Sequence, residues 1–248
     1  MKLKTNSGLG QRLMAGFAGL AGSAFVAHAA PSITAIGPIR RRLFPKLSGI
    51  SCSNSLALTF DDGPDINSTP LFLEELDRLG WKATFFMLGT MAERQPELVR
   101  EITSRGHEIA LHGYAHKNLL LRTPQATDSD IRRGFNIISE LAGSAPRFYR
   151  PPYGVLNLQA VLTARSIGLT PILWTSWGRD WRSKATPSTV ISDLSHSMAP
   201  GTTLLLHDSD CTSAPQAYLS ALGALHLLSE KVEEMGTTVE RLCDHFPA

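Results

Sequence analysis

The chain is 248 residues long, 43% apolar and 19% charged, with a net charge of +2. At ~150 residues per domain there is room for one or two domains; the apolar share excludes disorder and the near-neutral balance gives no electrostatic footprint for nucleic acid. The charge is unevenly placed: residues 1–60 hold Lys2, Lys4, Arg12, Arg40, Arg41, Arg42 and Lys46 but no Asp or Glu, so the remainder is acidic, 22 Asp and Glu against 17 Lys and Arg.

The first thirty residues read as a leader. Lys2, Lys4 and Arg12 form a basic start, Leu13–Ala27 is mildly apolar, and Ala27-His28-Ala29 fits a small-x-small cleavage pattern. This predicts a cleaved signal and a secreted or cell-envelope protein. The alternative is an intracellular leader on a cytoplasmic protein, because the apolar stretch is rich in Gly and Ala and Arg40–Arg42 follow closely. No uninterrupted apolar run of ~20 residues suggests a stable membrane span. Residues 31–54 read as a basic extension, and 55–248 as a single domain. Three cysteines are too few for a disulfide scaffold. A Cys52–Cys243 bridge in an exported barrel and three free thiols both remain open.

From residue 55 onward, short apolar runs alternate with helical patterns. Strands are predicted at Ser55–Phe60, Ala83–Leu88, Glu108–Leu111, Arg147–Arg150, Thr170–Trp174 and Thr202–His207, apolar enough to be buried on both faces. Ser68-Thr69-Pro70 opens a helix that Gly80 closes. Further helices are expected over Pro96–Arg105, Asp128–Leu141, Asn157–Ile167, from Thr186 to before Pro200, and Ala217–Met235. This β-α alternation predicts an α/β fold with a parallel sheet. About 195 residues are short for eight full units, so the expectation is a distorted, reduced (β/α) barrel.

Polar residues gather at the predicted strand ends. Asp61 and Asp62 follow the first strand, His112 the third, Arg150 ends the fourth, Asp180 comes shortly after the fifth, and His207 ends the sixth. Ligands in parallel α/β folds bind at the carboxyl ends of strands, so these groups could converge. His112 and His116 at i, i+4 would share one side of a helical turn, a spacing that suits a divalent ion. Two His and one carboxylate leave positions open for water and substrate. Of two adjacent carboxylates, one can ligate while the other serves as a base.

At these residues the chain resembles the polysaccharide deacetylases, carbohydrate esterase family four. Thr59-Phe60-Asp61-Asp62-Gly63-Pro64, His112–His116, Arg150-Pro151-Pro152-Tyr153-Gly154, Asp180-Trp181 and Leu205-Leu206-His207 match its motifs in order. Gly113 stands where the family often has Ser or Thr, leaving the support of that loop open, and Trp177 where many members have Asp. The resemblance implies that Asp62, His112 and His116 hold a divalent metal, zinc foremost, with cobalt or nickel as alternatives. It implies Asp61 as base and His207 as acid, Arg150 paired with Asp61 and Asp180 with His207. The Tyr153 N–H would complete an oxyanion site, and Trp181 and Leu205 would wall a pocket for the acetyl methyl. The implied substrate is an N-acetylated glycan or glycoconjugate; no protein partner is implied. O-acetyl ester or other small-amide hydrolysis is the enzyme alternative, and an inactive carbohydrate-binding protein the non-enzyme one. The loop Asp208–Pro215 would shape the substrate groove or hold a second ion, with Cys211 near the site.

Overall fold

The structure, a computed structural model, describes residues 22, 23 and 25–247. Lys2, Lys4 and Arg12 of the expected leader lie outside the described residues.

The strands are β1 (Leu56–Asp61), β2 (Thr84–Met87), β3 (Glu108–Leu111), β4 (Phe148–Tyr149), β5 (Thr170–Pro171), β6 (Ser176–Trp177), β7 (Thr203–His207) and β8 (Val239–Glu240). The helices are α1 (Gly37–Leu43), α2 (Thr69–Leu79), α3 (Gly89–Arg94), α4 (Pro96–Ser104), α5 (Pro124–Ala142), α6 (Leu158–Ser166), α7 (Pro187–Ser195), α8 (Tyr218–Glu234) and α9 (Leu242–His245). The sheet order is β5-β4-β3-β2-β1-β7-β6, with β8 paired to the start of β1, and every pairing is parallel. This is the expected reduced (β/α) barrel, curled but not closed between β5 and β6.

The period of two along each strand sorts side chains between two compartments. On β1, Leu56, Leu58 and Phe60 pack outward under the helices, in the large cluster with Phe72, Leu73 and Phe85. Ala57 faces inward with Phe86, Ala110, Phe148, Ile172 and Leu242. Thr59 and Asp61 continue the inward register, and Leu205 and His207 are their partners on β7. The carboxyl ends of the strands therefore form the mouth of the barrel, while Leu242 of α9 plugs the opposite end.

The strand expected over Thr170–Trp174 is not one element. It pairs with β4 only through Pro171; the chain then crosses to the other edge of the sheet and pairs with β7 at Ser176. Around the crossing the chain also bonds to the preceding extension: Leu173 N–H donates to Leu47 C=O at 2.7 Å, and the Thr175 hydroxyl donates to Ser48 C=O at 2.7 Å. The basic extension thus packs into the seam between β5 and β6. Asp180 consequently follows β6, not the fifth strand. Helix α5 begins four residues earlier than the expected Asp128, because Thr123 caps it by accepting from Ala126 N–H and Pro124 fits its first turn.

Candidate active site

Strand β1 delivers two carboxylates in succession, and its end separates them. Asp62 has φ 79°, an uncommon left-handed conformation for a residue with a side chain. Asp62 Oδ1 lies 3.4 Å from His112 Nε2 and 3.5 Å from His116 Nε2. Ligand bonds of about 2.0–2.1 Å in a tetrahedral arrangement put ligand atoms roughly 3.4 Å apart, so the trio fits one cation. Asp62 Oδ1 and His116 Nδ1 are both buried without a hydrogen-bond partner, which is costly unless something else occupies Oδ1. Among the described residues these three form the group of His, Cys, Asp or Glu with the spacing of a metal site, and no second such group includes Asp208 or Asp210.

The histidines do not share a helical turn, as their spacing had suggested. His112–Lys117 is an irregular bend, entered through Gly113 at φ 96°. A Cβ there would lie 3.0 Å from Asp130 Oδ2, and a side chain would also be strained at that φ. Asp130, on α5, accepts from Tyr114 N–H at 2.9 Å and from Ala115 N–H at 3.4 Å. The support left open at Gly113 therefore comes from Asp130. His112 is oriented separately, by Nδ1–H donating to Arg150 C=O at 2.8 Å, which leaves the Nε2 lone pair facing Asp62.

Electrostatics suit ligation. Burial alone would raise Asp62, but the imidazoles of His112, His207 and His116 outweigh it whenever they carry a proton, and hold the carboxyl well below its usual range. Burial, reinforced by neighbouring His112, lowers His116 to about 4, so its imidazole is neutral near pH 7, the form that donates to a metal.

Asp61 faces a different neighbour. Fully buried Arg150 donates through Nη1 to Asp61 Oδ1 at 2.6 Å and to Thr59 Oγ1 at 2.9 Å, and through Nη2 to Leu173 C=O at 2.8 Å. Its guanidinium lies 3.9 Å from the centre of the Phe86 ring. On β7, His207 is held at two points by Asp180, which accepts from His207 N–H at 2.8 Å and from Nδ1 at 3.0 Å. Burial would lower His207, but the Asp180 charge and hydrogen bond, with Asp62 and Asp61 beyond, raise it to about 10.

These groups open into a cavity of about 320 Å³, walled by Tyr153, Trp174, Trp177, Trp181 and Leu205. Leu205 is buried, while Trp181 and Tyr153 are 43% and 58% exposed at the rim. Tyr153 is left-handed at φ 59° and sets its ring edge-on to His116 at 4.3 Å. Sequence reasoning did not assign Trp174, Asp130 or Thr212 to the site. The Thr212 hydroxyl donates to Asp62 Oδ2 from the loop after β7. The only advance signal for Trp174 was the cluster Trp174, Trp177, Trp181 within one connection. All three cysteines are free thiols, so the Cys52–Cys243 bridge is not formed. Cys211 Sγ lies 3.5 Å from Asp62 C=O; desolvation and the Asp62 carboxylate push its thiol up to about 12, leaving little reactive thiolate.

A family model described as polysaccharide deacetylase matches residues 49–172. The chain is 34% identical over 182 residues to a peptidoglycan-N-acetylglucosamine deacetylase of Bacillus cereus, covering 73% of this chain and 63% of that protein. It thus spans just under two thirds of that relative. It is also 34% identical over 169 residues to a chitooligosaccharide deacetylase of a Bradyrhizobium species, covering 68% of this chain and 75% of the relative. Among solved structures, a peptidoglycan N-acetylglucosamine deacetylase in complex with 4-naphthalen-1-yl-N-oxidanyl-benzamide superposes with a TM-score of 0.74 at 30% identity, covering 81% of this chain and 91% of that one.

Proposed function

This chain belongs to the polysaccharide deacetylase family, and from that premise we propose that it is a metal-dependent hydrolase that removes acetyl groups from N-acetylated sugars of a glycan or glycoconjugate. The observation that carries this reading is the register pairing of Asp61 with His207 beside the Asp62–His112–His116 trio.

A divalent cation held by Asp62, His112 and His116, which we take to be zinc, would supply Lewis-acid polarisation of the acetyl carbonyl and a more acidic water. The chain's own residues do the rest. Asp61, held and aimed by Arg150, takes the proton of the attacking water as the new C–O bond forms. The Tyr153 N–H, on its left-handed turn, is the candidate donor to the developing oxyanion. His207, kept protonated by Asp180, gives its proton to the sugar nitrogen as the C–N bond breaks, releasing acetate and a free amine. Leu205 and Trp181 border the space for the acetyl methyl and limit the acyl group to a small one.

Named relatives that act on peptidoglycan or on chitooligosaccharides support an N-acetylglucosamine-containing substrate and a place in or outside the cell envelope. Acetate release from N-acetylated chitooligosaccharides, peptidoglycan fragments and O-acetylated sugars, with zinc, cobalt or nickel supplied, tests the reading. Release from the N-acetyl substrates that is lost in Asp61→Asn upholds it. Release from O-acetyl esters alone would favour the esterase alternative, and no release from any metal-loaded sample would favour a binding protein.

A further inference from the structure

The catalytic cavity does not end at its tryptophan wall. On the far side of Trp174 and Trp177 lies a second cleft of about 610 Å³, lined by Arg41 of α1, Arg179 and His196 as well as by the same two indoles. Three features suggest that this cleft is built rather than incidental. First, Arg179 has φ 48°. This left-handed residue separates Asp180, which faces His207, from its own guanidinium, which lies 5.8 Å from the centre of the Trp177 ring; strained residues of this kind concentrate at functional sites. Second, α1 is fixed against the wall by buried Arg40, which donates to Trp174 C=O at 2.8 Å and stacks 5.2 Å from the Trp174 ring centre. Third, α1 contributes Arg41 to the lining itself, next to the buried Arg40 that anchors the helix.

The charge is one-sided. Asp193 is the cleft's carboxylate, and it is engaged by Arg182. Among the described residues, neither Arg41 nor Arg179 has a carboxylate partner.

We propose that this cleft is a subsite for an anionic substituent, a carboxylate or phosphate, carried by the glycan a few bonds from the N-acetyl group under attack, with Arg41 and Arg179 as its receptors and Trp177 as the partition shared with the reaction cavity. The proposal rests on the deacetylase reading and narrows its substrate to an acidic glycan. Guanidinium is suited to it because its planar fork binds carboxylate and phosphate in pairs of hydrogen bonds.

The test uses the full zinc-loaded chain and one N-acetylated tetrasaccharide in three forms: uncharged, with a terminal carboxylate, and with a terminal phosphate. The expected kcat/KM is about fivefold higher for a charged form at low salt, and the advantage shrinks in ~0.5 M salt as exposed charges are screened. The two charged forms distinguish which anion is preferred. In the Arg41→Gln/Arg179→Gln double variant the charged-to-neutral ratio falls to about one, and Arg41→Lys/Arg179→Lys restores part of it. Equal kcat/KM for charged and neutral forms, or a ratio that survives the Gln variant, overturns the proposal. Binding of the same sugars followed by quenching of tryptophan fluorescence reads the subsite without turnover. If no acetate is released yet charged sugars bind more tightly, the reaction assignment fails and the subsite stands; if they bind equally, the subsite fails.

Discussion

Asp61 and His207 are register partners on adjacent parallel strands, so the two groups assigned to move protons stand side by side at the barrel mouth. Each has its own counter-charge on the side away from the other strand: Arg150 for Asp61 and Asp180 for His207. On the proposed assignment the pairing separates the two functions electrostatically, with Arg150 against the base and Asp180 against the acid.

Asp61→Asn preserves the hydrogen-bonding shape beside Arg150 but cannot accept a proton. Acetate release should fall by about 10²–10⁴-fold, the usual worth of a general base, while zinc content measured on the purified protein stays near one ion per chain. Asp62→Asn should instead lose zinc. Retention of full zinc by Asp62→Asn would remove it from the ligand set.

Arg150→Met leaves the buried Asp61 carboxylate without its cation and strips three donated hydrogen bonds from the barrel interior. Removing one partner of a buried pair costs about 3–5 kcal/mol. The denaturant midpoint should drop accordingly, along with activity. A midpoint within about 1 kcal/mol of the parent would show that water or a rearranged side chain replaces the guanidinium.

The pH dependence of His207 has a definite sign. Its folded value, about 10, lies above the ordinary histidine value of ~6.5. Protonation of His207 therefore stabilises the fold fully below about pH 6.5 and the contribution is lost as pH rises toward 10. Activity that needs the protonated imidazole should decline on the same alkaline side. Asp180→Asn removes the largest raising influence, so the alkaline limb of kcat should move to lower pH. An unchanged limb would assign it to another group.

Much of this site was legible in the sequence because strand ends, turn residues and the period of two carry strong local signals. Asp61, Asp62, His112 and His207 fall where those signals end. What was not legible depends on long-range packing. The two-residue strands β5 and β6 are too short to show any period, so their separation, and the passage of Asp180 to the other edge, could not be read. Asp130 lies within a helix, where an acidic residue reads as a solvated face; its burial and the bonds it accepts from Tyr114 and Ala115 reveal its role. Arg40 sits in a run of three arginines, and nothing local distinguishes the buried one from its neighbours.

Asp130 offers a test of loop support. Asp130→Ala removes the acceptor for Tyr114 and Ala115 without touching a ligand. Loss of such an outer partner lowers metal affinity about 10–100-fold, measurable by calorimetric zinc titration. Asp130→Asn, which keeps one carbonyl acceptor, should fall between. Parent-like affinity in Asp130→Ala would mean that the loop holds its shape through other contacts.

Arg40 tests whether the basic extension is part of the working structure. It is 3% exposed, donates to Thr34 C=O and Trp174 C=O, each at 2.8 Å, and lies over the Trp174 ring. Trp174 is also pressed from the other side, where a Cβ on Gly154 would come within 2.6 Å of its ring. One wall of the cavity is therefore clamped between the extension and the Pro151–Gly154 turn. Arg40→Ala leaves a void and two unmatched carbonyls, each hydrogen bond to a charged group being worth about 1.5–3 kcal/mol. The denaturant midpoint should fall, and the near-ultraviolet circular dichroism of the tryptophans should weaken as Trp174 gains freedom. Arg40→Lys should recover only part of both, because an ammonium cannot reach two carbonyls while stacking on an indole. If Arg40→Ala leaves both signals unchanged, the extension contributes nothing to the wall, and Trp174 is held by Gly154 and the barrel alone.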